Sequence, residues 1–258
     1  MEIRICCPSY HRDIVKSFDF FGDLLKVYVC ETEYDNYIKH NPKFKDNFIK
    51  MKKGVQGNVS RVRNYILDDC FKNGCDVCCI VDDDMSYIGY YEDKTIHKLE
   101  KEDILPFIAK YSLLCKEFGF YLWGVNLNSD KQCYREYSPF STTSCILGPF
   151  SCHLAGGDVR YDEGLPLKED YDLAIAHLNK HRGILRVNKY HYVCEQSTNK
   201  GGCATYRNIE REKEQLGKLQ QKWGKDIVKL DSNDRSHNKV KRKVVDYNPV
   251  INVPIKGI

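Results

Sequence analysis

The chain has 258 residues, 42% hydrophobic and 29% charged, with a formal net charge of +4. That is enough for one large domain with modest appendages and excludes a disordered or low-complexity chain. No apolar run approaches the roughly 20 residues of a bilayer span, and no secretory leader is visible at the N-terminus, so a cytoplasmic protein with no membrane partner is expected.

Ile3 opens a short apolar run stopped by Pro8-Ser9, the pattern of a buried strand and a turn. A helix is expected over residues 12–25 and a strand over 27–31. Residues 58–71 predict a helix capped at Gly57-Asn58, with Val59, Val62, Ile66 and Cys70 on one stripe. Residues 76–81 are almost continuously apolar, as in a strand buried on both faces, and three aspartates stop it. Further strands are expected at 121–125 and 144–147. Residues 171–178 repeat apolar side chains at helical period, and 184–187 and 190–194 read as closing strands. An amphipathic helix follows, using Tyr206, Ile209, Leu216, Leu219 and Trp223. This alternation predicts an α/β fold with a mostly parallel, Rossmann-like central sheet flanked by helices, over residues 1–204. Residues 205–258 are expected to form a helical and basic extension packed on the same domain.

Thirteen cysteines, many inside strand-like apolar runs, describe a reduced interior rather than a disulfide framework. Cys75-x-x-Cys78-Cys79 has a zinc-like spacing without a matching second pair. Cys78 and Cys79 face opposite ways on a strand, so buried thiols are the expectation there.

Three segments carry chemistry. Asp82-Asp83-Asp84 sits at the carboxyl end of a buried strand, where open α/β sheets place ligands. Mutual repulsion makes the trio unfavourable unless a cation or solvent compensates it, and hard cations such as Mg2+ or Mn2+ choose oxygen donors. Asp82 and Asp84 would project to the same side of an extended chain; the plain alternative is a solvated acidic turn. Arg63 falls within the apolar stripe of its helix and needs an anion, either a ligand phosphate or an internal carboxylate such as one of Asp82 to Asp84. Glu169-Asp170 opens a helix after a glycine- and acid-rich loop. Asp170 could be a helix cap or a general base. His191, beside a late strand, could complete a metal shell. The stretch 235–243 holds Arg235, Lys239, Lys241, Arg242 and Lys243 without an acid, either a solvated face or a stripe for a phosphate backbone.

In order along the chain, Pro8-Ser9-Tyr10, Arg63-Asn64, Asp82-Asp83-Asp84 and Glu169-Asp170 resemble the motifs of GT-A type nucleotide-sugar glycosyltransferases. The resemblance spans about residues 2 to 200. More narrowly, Cys7-Pro8-Ser9-Tyr10-His11-Arg12, the run from Gly57 to Asn64, Val81 to Met85, Lys168 to Asp172, Lys200-Gly201-Gly202-Cys203 and Lys222-Trp223-Gly224 resemble the TET/JBP-associated glycosyltransferases of phages and other viruses. The resemblance implies a GT-A-like fold and a metal-dependent inverting transfer from a UDP-sugar to a 5-hydroxymethylpyrimidine in DNA, in the cytoplasm of a host cell. It implies that Pro8, Tyr10 and Glu31 hold the nucleobase and that Arg63 orients that region or the diphosphate. Arg12, Asn64 and Asp83 join them in donor binding. Asp82 would contact ribose or sugar, and Asp84 would bind Mn2+ or Mg2+, with Asp82 and His191 as further candidate ligands. Asp170, or Glu169 beside it, would be the base, and the loop at 199–203 would close over the donor. The triple aspartate departs from a plain Asp-x-Asp and leaves the metal ligand open between Asp82 and Asp84. A glycan, lipid carrier or protein acceptor, a nucleotidyltransferase and a non-catalytic nucleic-acid-binding module are the rival readings.

Overall fold

The apolar run after Glu2 forms β1 (Ile3–Pro8) in the computed structural model, which describes residues 1–127, 134–194, 201–230 and 247–253. It is followed by β2 (Leu25–Cys30), β3 (Phe48–Met51), β4 (Val77–Val81), β5 (Met85–Glu92), β6 (Thr95–Lys98), β7 (Leu122–Asn126), β8 (Phe140–Ser141), β9 (Phe150–Leu154) and β10 (Leu185–Cys194). These strands make one sheet in the order β3-β2-β1-β4-β9-β7-β10-β5-β6, with β8 beside β10. Strands β1, β2, β3, β4, β6, β7 and β10 run one way, and β5, β8 and β9 the other. The fold is thus the expected α/β class, a mostly parallel central sheet flanked by helices. A small separate ladder pairs β11 (Val228–Leu230) with β12 (Pro249–Ile251).

Side-chain alternation along the central strands splits the core into two layers. Ile5, Cys7, Cys79 and Val81 face α1 (Phe18–Phe21) and α4 (Ile104–Glu117), where Phe18, Phe21, Ile104 and Phe107 cover them. Cys6, Cys78 and Ile80 face the other way, toward α3 (Val59–Lys72) and α5 (Glu169–His181). Val62, Ile66 and Leu67 of α3 and Leu173 and Leu178 of α5 close that layer. Each such side chain, fully buried, contributes about 1.5–3 kcal/mol. A short α2 (Tyr34–His40) links β2 toward β3.

The helix expected at 12–25 shrinks to α1 and one 3-10 turn. Its first residues find other partners: Asn41 accepts from Val15 N–H (3.2 Å) and donates to the Asp13 carbonyl (2.8 Å). The strand expected at 144–147 is an unpaired loop, and the neighbouring strand begins at Phe150. The two closing strands are one, β10, with a register shift between Val187 and His191.

The chain's last described helix, α6 (Ile209–Trp223), packs Leu216 and Leu219 on Leu165, Ile175 and Val228. Buried Lys168 donates to Glu212 and, at 3.2 Å, to Asn248, while Trp223 Nε1 donates to Asp172 (2.7 Å). The basic stretch at 235–243 lies outside the described residues. No helix among the described residues is long and apolar enough to cross a membrane.

Candidate functional site

Adjacent parallel strands deliver their carboxyl ends to one edge of the sheet. Because β1 pairs with β4 in this way, Pro8-Ser9-Tyr10 and Asp82-Asp83-Asp84 leave the sheet side by side. Glu31, exposed, follows β2 at the same edge, its backbone N–H bonded to Met51 O at 3.1 Å. Ser17 fixes the acidic turn, since its Oγ donates to the Asp82 carbonyl (2.6 Å) and accepts from Met85 N–H (2.9 Å).

The three aspartates divide by direction. Asp83 turns inward, accepting from Ser9 Oγ at 2.6 Å and pairing with Arg12 Nε at 3.1 Å. Burial raises its carboxyl to about 7, against the opposing pull of Arg12 and Ser9. Asp82 and Asp84 keep 34% and 18% of their side-chain surface, against 8% for Asp83. Burial, and then the charge of Asp82, also pushes Asp84 above the ordinary carboxylate range. Arg12 reaches Asp84 only at 3.9 Å. Arg12 and Asp83, expected at the donor, therefore hold each other beneath the turn.

Arg63 joins this acidic turn to the second acidic motif. Its side chain is 3% exposed on the core side of α3. Nη1 donates to Glu169 Oε1 (2.9 Å), and Nη2 donates to Asp82 Oδ1 (3.1 Å) and the Gly148 carbonyl (3.3 Å). A buried guanidinium demands such partners. The anion the sequence called for is thus a pair of protein carboxylates. A Cβ at Gly148 would stand 3.0 Å from Nη2, so a bare backbone there gives the fork its room. Asn64, the next residue, clamps Tyr161 instead of facing the turn: it donates to the carbonyl and accepts from the N–H, both at 2.9 Å.

The first turn of α5 presents Glu169 and Asp170. Burial, then the neighbouring Asp170 charge, raises Glu169 to about 8, with Arg63 opposing. Asp170 is less buried and accepts from Gly148 N–H (3.2 Å) and Tyr171 N–H (2.8 Å). Burial raises it as well, and Arg63 and those two amides hold it back. A carboxylate fixed by backbone donors, with its affinity for a proton increased, suits a general base.

Gly201 and Gly202 roof the first loop. Gly201 has φ of +119°, and a Cβ there would stand 2.5 Å from the His11 carbonyl. Gly202 N–H donates to the Tyr10 carbonyl at 2.8 Å, and the half-buried Tyr10 ring lies tilted against His11, 3.8 Å between centroids. Next in the chain, Cys203 feels the charges of Glu169, Arg63 and Asp82, and its Sγ lies 3.0 Å from Tyr206 Oη. Residues 199 and 200 of that loop lie outside the described residues.

His191 is not brought to the acidic turn. It is fully buried against Gly89 and the Tyr91 ring, 4.9 Å between centroids. Alternation along β10 turns Tyr192 and Cys194 to the other face, where Cys194 bonds Asp84 and Tyr192 feels Asp170 and Asp82. The sequence reading missed both; strict alternation from His191 would have pointed to them.

Asp82 and Asp84 offer hard oxygen donors in a place where carboxylate charge accumulates, a donor set that fits Mg2+ or Mn2+ and not a soft metal. Two carboxylates suffice for a cation completed by substrate phosphates.

No protein-family model matches the sequence, and no curated protein does. Among solved structures, the chain is similar to TarS 1–349 of S. aureus, at 13% identity over 74% of this chain and a TM-score of 0.45. It spans 59% of that TarS chain. The same protein in complex with UDP gives 15% identity, the same two coverages of 74% and 59%, and a TM-score of 0.43. Mannose-1-phosphate geranyltransferase from Thermus thermophilus is similar at 8% identity over 75% of each chain, with a TM-score of 0.45.

Proposed function

We propose that this chain is a metal-dependent inverting glycosyltransferase of GT-A type, moving a sugar from a UDP-sugar to the hydroxyl of a 5-hydroxymethylpyrimidine in DNA. One observation carries the reading: buried Arg63 ties Asp82 to Glu169, so the motif that resembles a donor site and the motif that resembles a catalytic base stand side by side.

In this reading Pro8, Tyr10 and Glu31 hold the nucleobase at the ends of β1 and β2. Asp82, oriented by Arg63, meets the ribose or the sugar. Mn2+ or Mg2+ held by Asp84, with Asp82 beside it, would neutralise the departing diphosphate. Asp170 takes the proton of the acceptor hydroxyl as that oxygen bonds to the anomeric carbon and the bond to UDP breaks. Such in-line displacement inverts the anomer in one step and needs one base. Glu169 anchors Arg63, which keeps Asp170 at a fixed distance from the turn. Gly201 and Gly202 lie where a loop would keep water from the donor.

Beyond Tyr171, a cavity of 440 Å3 opens between Leu127, Ser144, Leu147, Arg186 and Ile251, and we assign it to the acceptor. A duplex base would flip out to reach it.

The experiment is a panel of nucleotide-sugars with Mn2+, with and without hydroxymethylated DNA, scored by released UDP and labelled DNA. The proposal expects UDP release coupled to DNA labelling. Pyrophosphate release would make the enzyme a nucleotidyltransferase, and transfer to a glycan or protein without DNA would replace the acceptor. No turnover with any donor would end the enzymatic reading.

A further inference from the structure

Three cysteines converge beneath the other end of α3, with a fourth, Cys75, beside one of them, about 10 Å along the helix axis from Arg63 at 1.5 Å per residue. Cys6, Cys70 and Cys78 are fully buried, with sulfurs within 4.8 Å of one another. Among the described residues they are the only His, Cys, Asp or Glu trio so placed. The Cys6 and Cys70 sulfurs are 3.4 Å apart, and both are free thiols. Cys75, buried as well, adjoins Cys70.

The fold brings them together from three elements. In the parallel register Arg4 stands opposite Cys78 and Cys6 opposite Ile80, so Cys6 and Cys78 share a face two positions apart. Cys70 descends on them from the last turns of α3. The chain then reverses at Gly74 (φ +80°), and Cys75 N–H bonds back to the Cys70 carbonyl at 3.1 Å. The Cys75-x-x-Cys78 spacing, incomplete in the sequence, thus gains Cys70 from the helix just before it and Cys6 from β1, 64 positions from Cys70.

Buried thiols can pack as small apolar groups, but these have charged company. Arg4 acts electrostatically on Cys70 and Cys75, and Tyr28 hydrogen-bonds Cys70. Arg4 and Tyr28 are in turn oriented by Asp69, at 3.2 and 2.7 Å. Arg4 is held beside the sulfurs as a fixed cation, which offsets part of the net negative charge of a thiolate–metal centre.

We propose that Cys6, Cys70, Cys75 and Cys78 form a tetrahedral thiolate site for a soft divalent cation, Zn2+ in the first place, which staples β1, α3 and β4. Four metal–sulfur bonds form, and the protons of the thiols pass to solvent. The site is closed and structural, independent of the oxygen-donor chemistry at Asp82 and Asp84.

The test uses the full chain purified under reducing conditions. Metal content is measured first, then Co2+ is added to chelator-treated protein and followed by absorbance. The proposal expects one zinc per chain, and sulfur-to-cobalt charge-transfer bands with the visible bands of tetrahedral Co2+. Cys78→Ser loses these signals, whereas Cys79→Ser, its neighbour on the opposite face, keeps them. Chelation lowers Tm and zinc restores it. Folded, reduced wild-type protein that holds no zinc and gives no cobalt spectrum overturns the site. So does a spectrum that survives in Cys78→Ser. If Cys78→Ser does not fold, the wild-type spectrum and Cys75→Ser, in the connecting turn, decide in the same way.

Discussion

Arg63 is the residue on which both acidic motifs lean. Its replacement by alanine leaves buried Glu169 without its cation, which costs about 3–5 kcal/mol for a broken buried pair, while the more exposed Asp82 adds little. Urea unfolding of Arg63→Ala checks that figure. Arg63→Lys keeps the charge but loses the planar fork that spans two carboxylates and the Gly148 carbonyl. It is expected to unfold nearer wild type and still to lose most turnover. Helical period alone showed that Arg63 faces the core, so its need for an anion was legible. Its partner Glu169 was not, because that contact closes 106 positions of sequence. The inward turn of Asp83 was legible only in part. Alternation separates it from Asp82 and Asp84, but the Ser9 and Arg12 that receive it come from another strand's loop.

The base makes a prediction at the same scale. Asp170 is raised by burial, and a base acts only when ionised, so kcat/KM falls as pH drops through its raised value. The inflection is expected above the value near 4 of an ordinary aspartate. Asp170→Asn should lose about 10²–10⁴ in kcat together with that acid limb. A limb unchanged in Asp170→Asn would assign the base elsewhere.

At the scale of elements, the site is a set of loops and the starts of α3 and α5 gathered at one sheet edge. The capped helix α3 and the apolar strand β4 were readable because each satisfies its own rule, an Asn58 cap with a stripe and a continuous apolar run. The segment at 12–25 misled because its composition suits a helix while its backbone groups are claimed by Asn41 and its Ser17 by the acidic turn. Tertiary hydrogen bonds there outweigh propensity. Strand β9, five residues bonded between β4 and β7, was hidden by the apolar loop before it. The glycine loop at 201–202 supplies the test at this scale. Gly201→Ala meets a left-handed backbone and the His11 carbonyl, so it should displace the loop from Tyr10. The expected outcome is a higher KM for the nucleotide-sugar with a small change in unfolding free energy. An unchanged KM would remove this loop from the donor site.

For the whole molecule, seven co-directional strands set the carboxyl ends of β1, β2 and β4 at a single edge, and the start of α5 folds over it. Alternating strand and helix signals made the class of fold legible. The order of strands was not, since pairings such as β10 with β5 join segments about 100 residues apart. The account stands or falls on whether Asp82 and Asp84 hold a cation that in turn holds a diphosphate. Calorimetric titration of UDP into the protein, with and without Mn2+, measures this directly. The account predicts binding that requires the metal and that Asp84→Asn abolishes while leaving Tm within a few degrees of wild type. Binding of equal strength without Mn2+, or undiminished in Asp84→Asn, would contradict it.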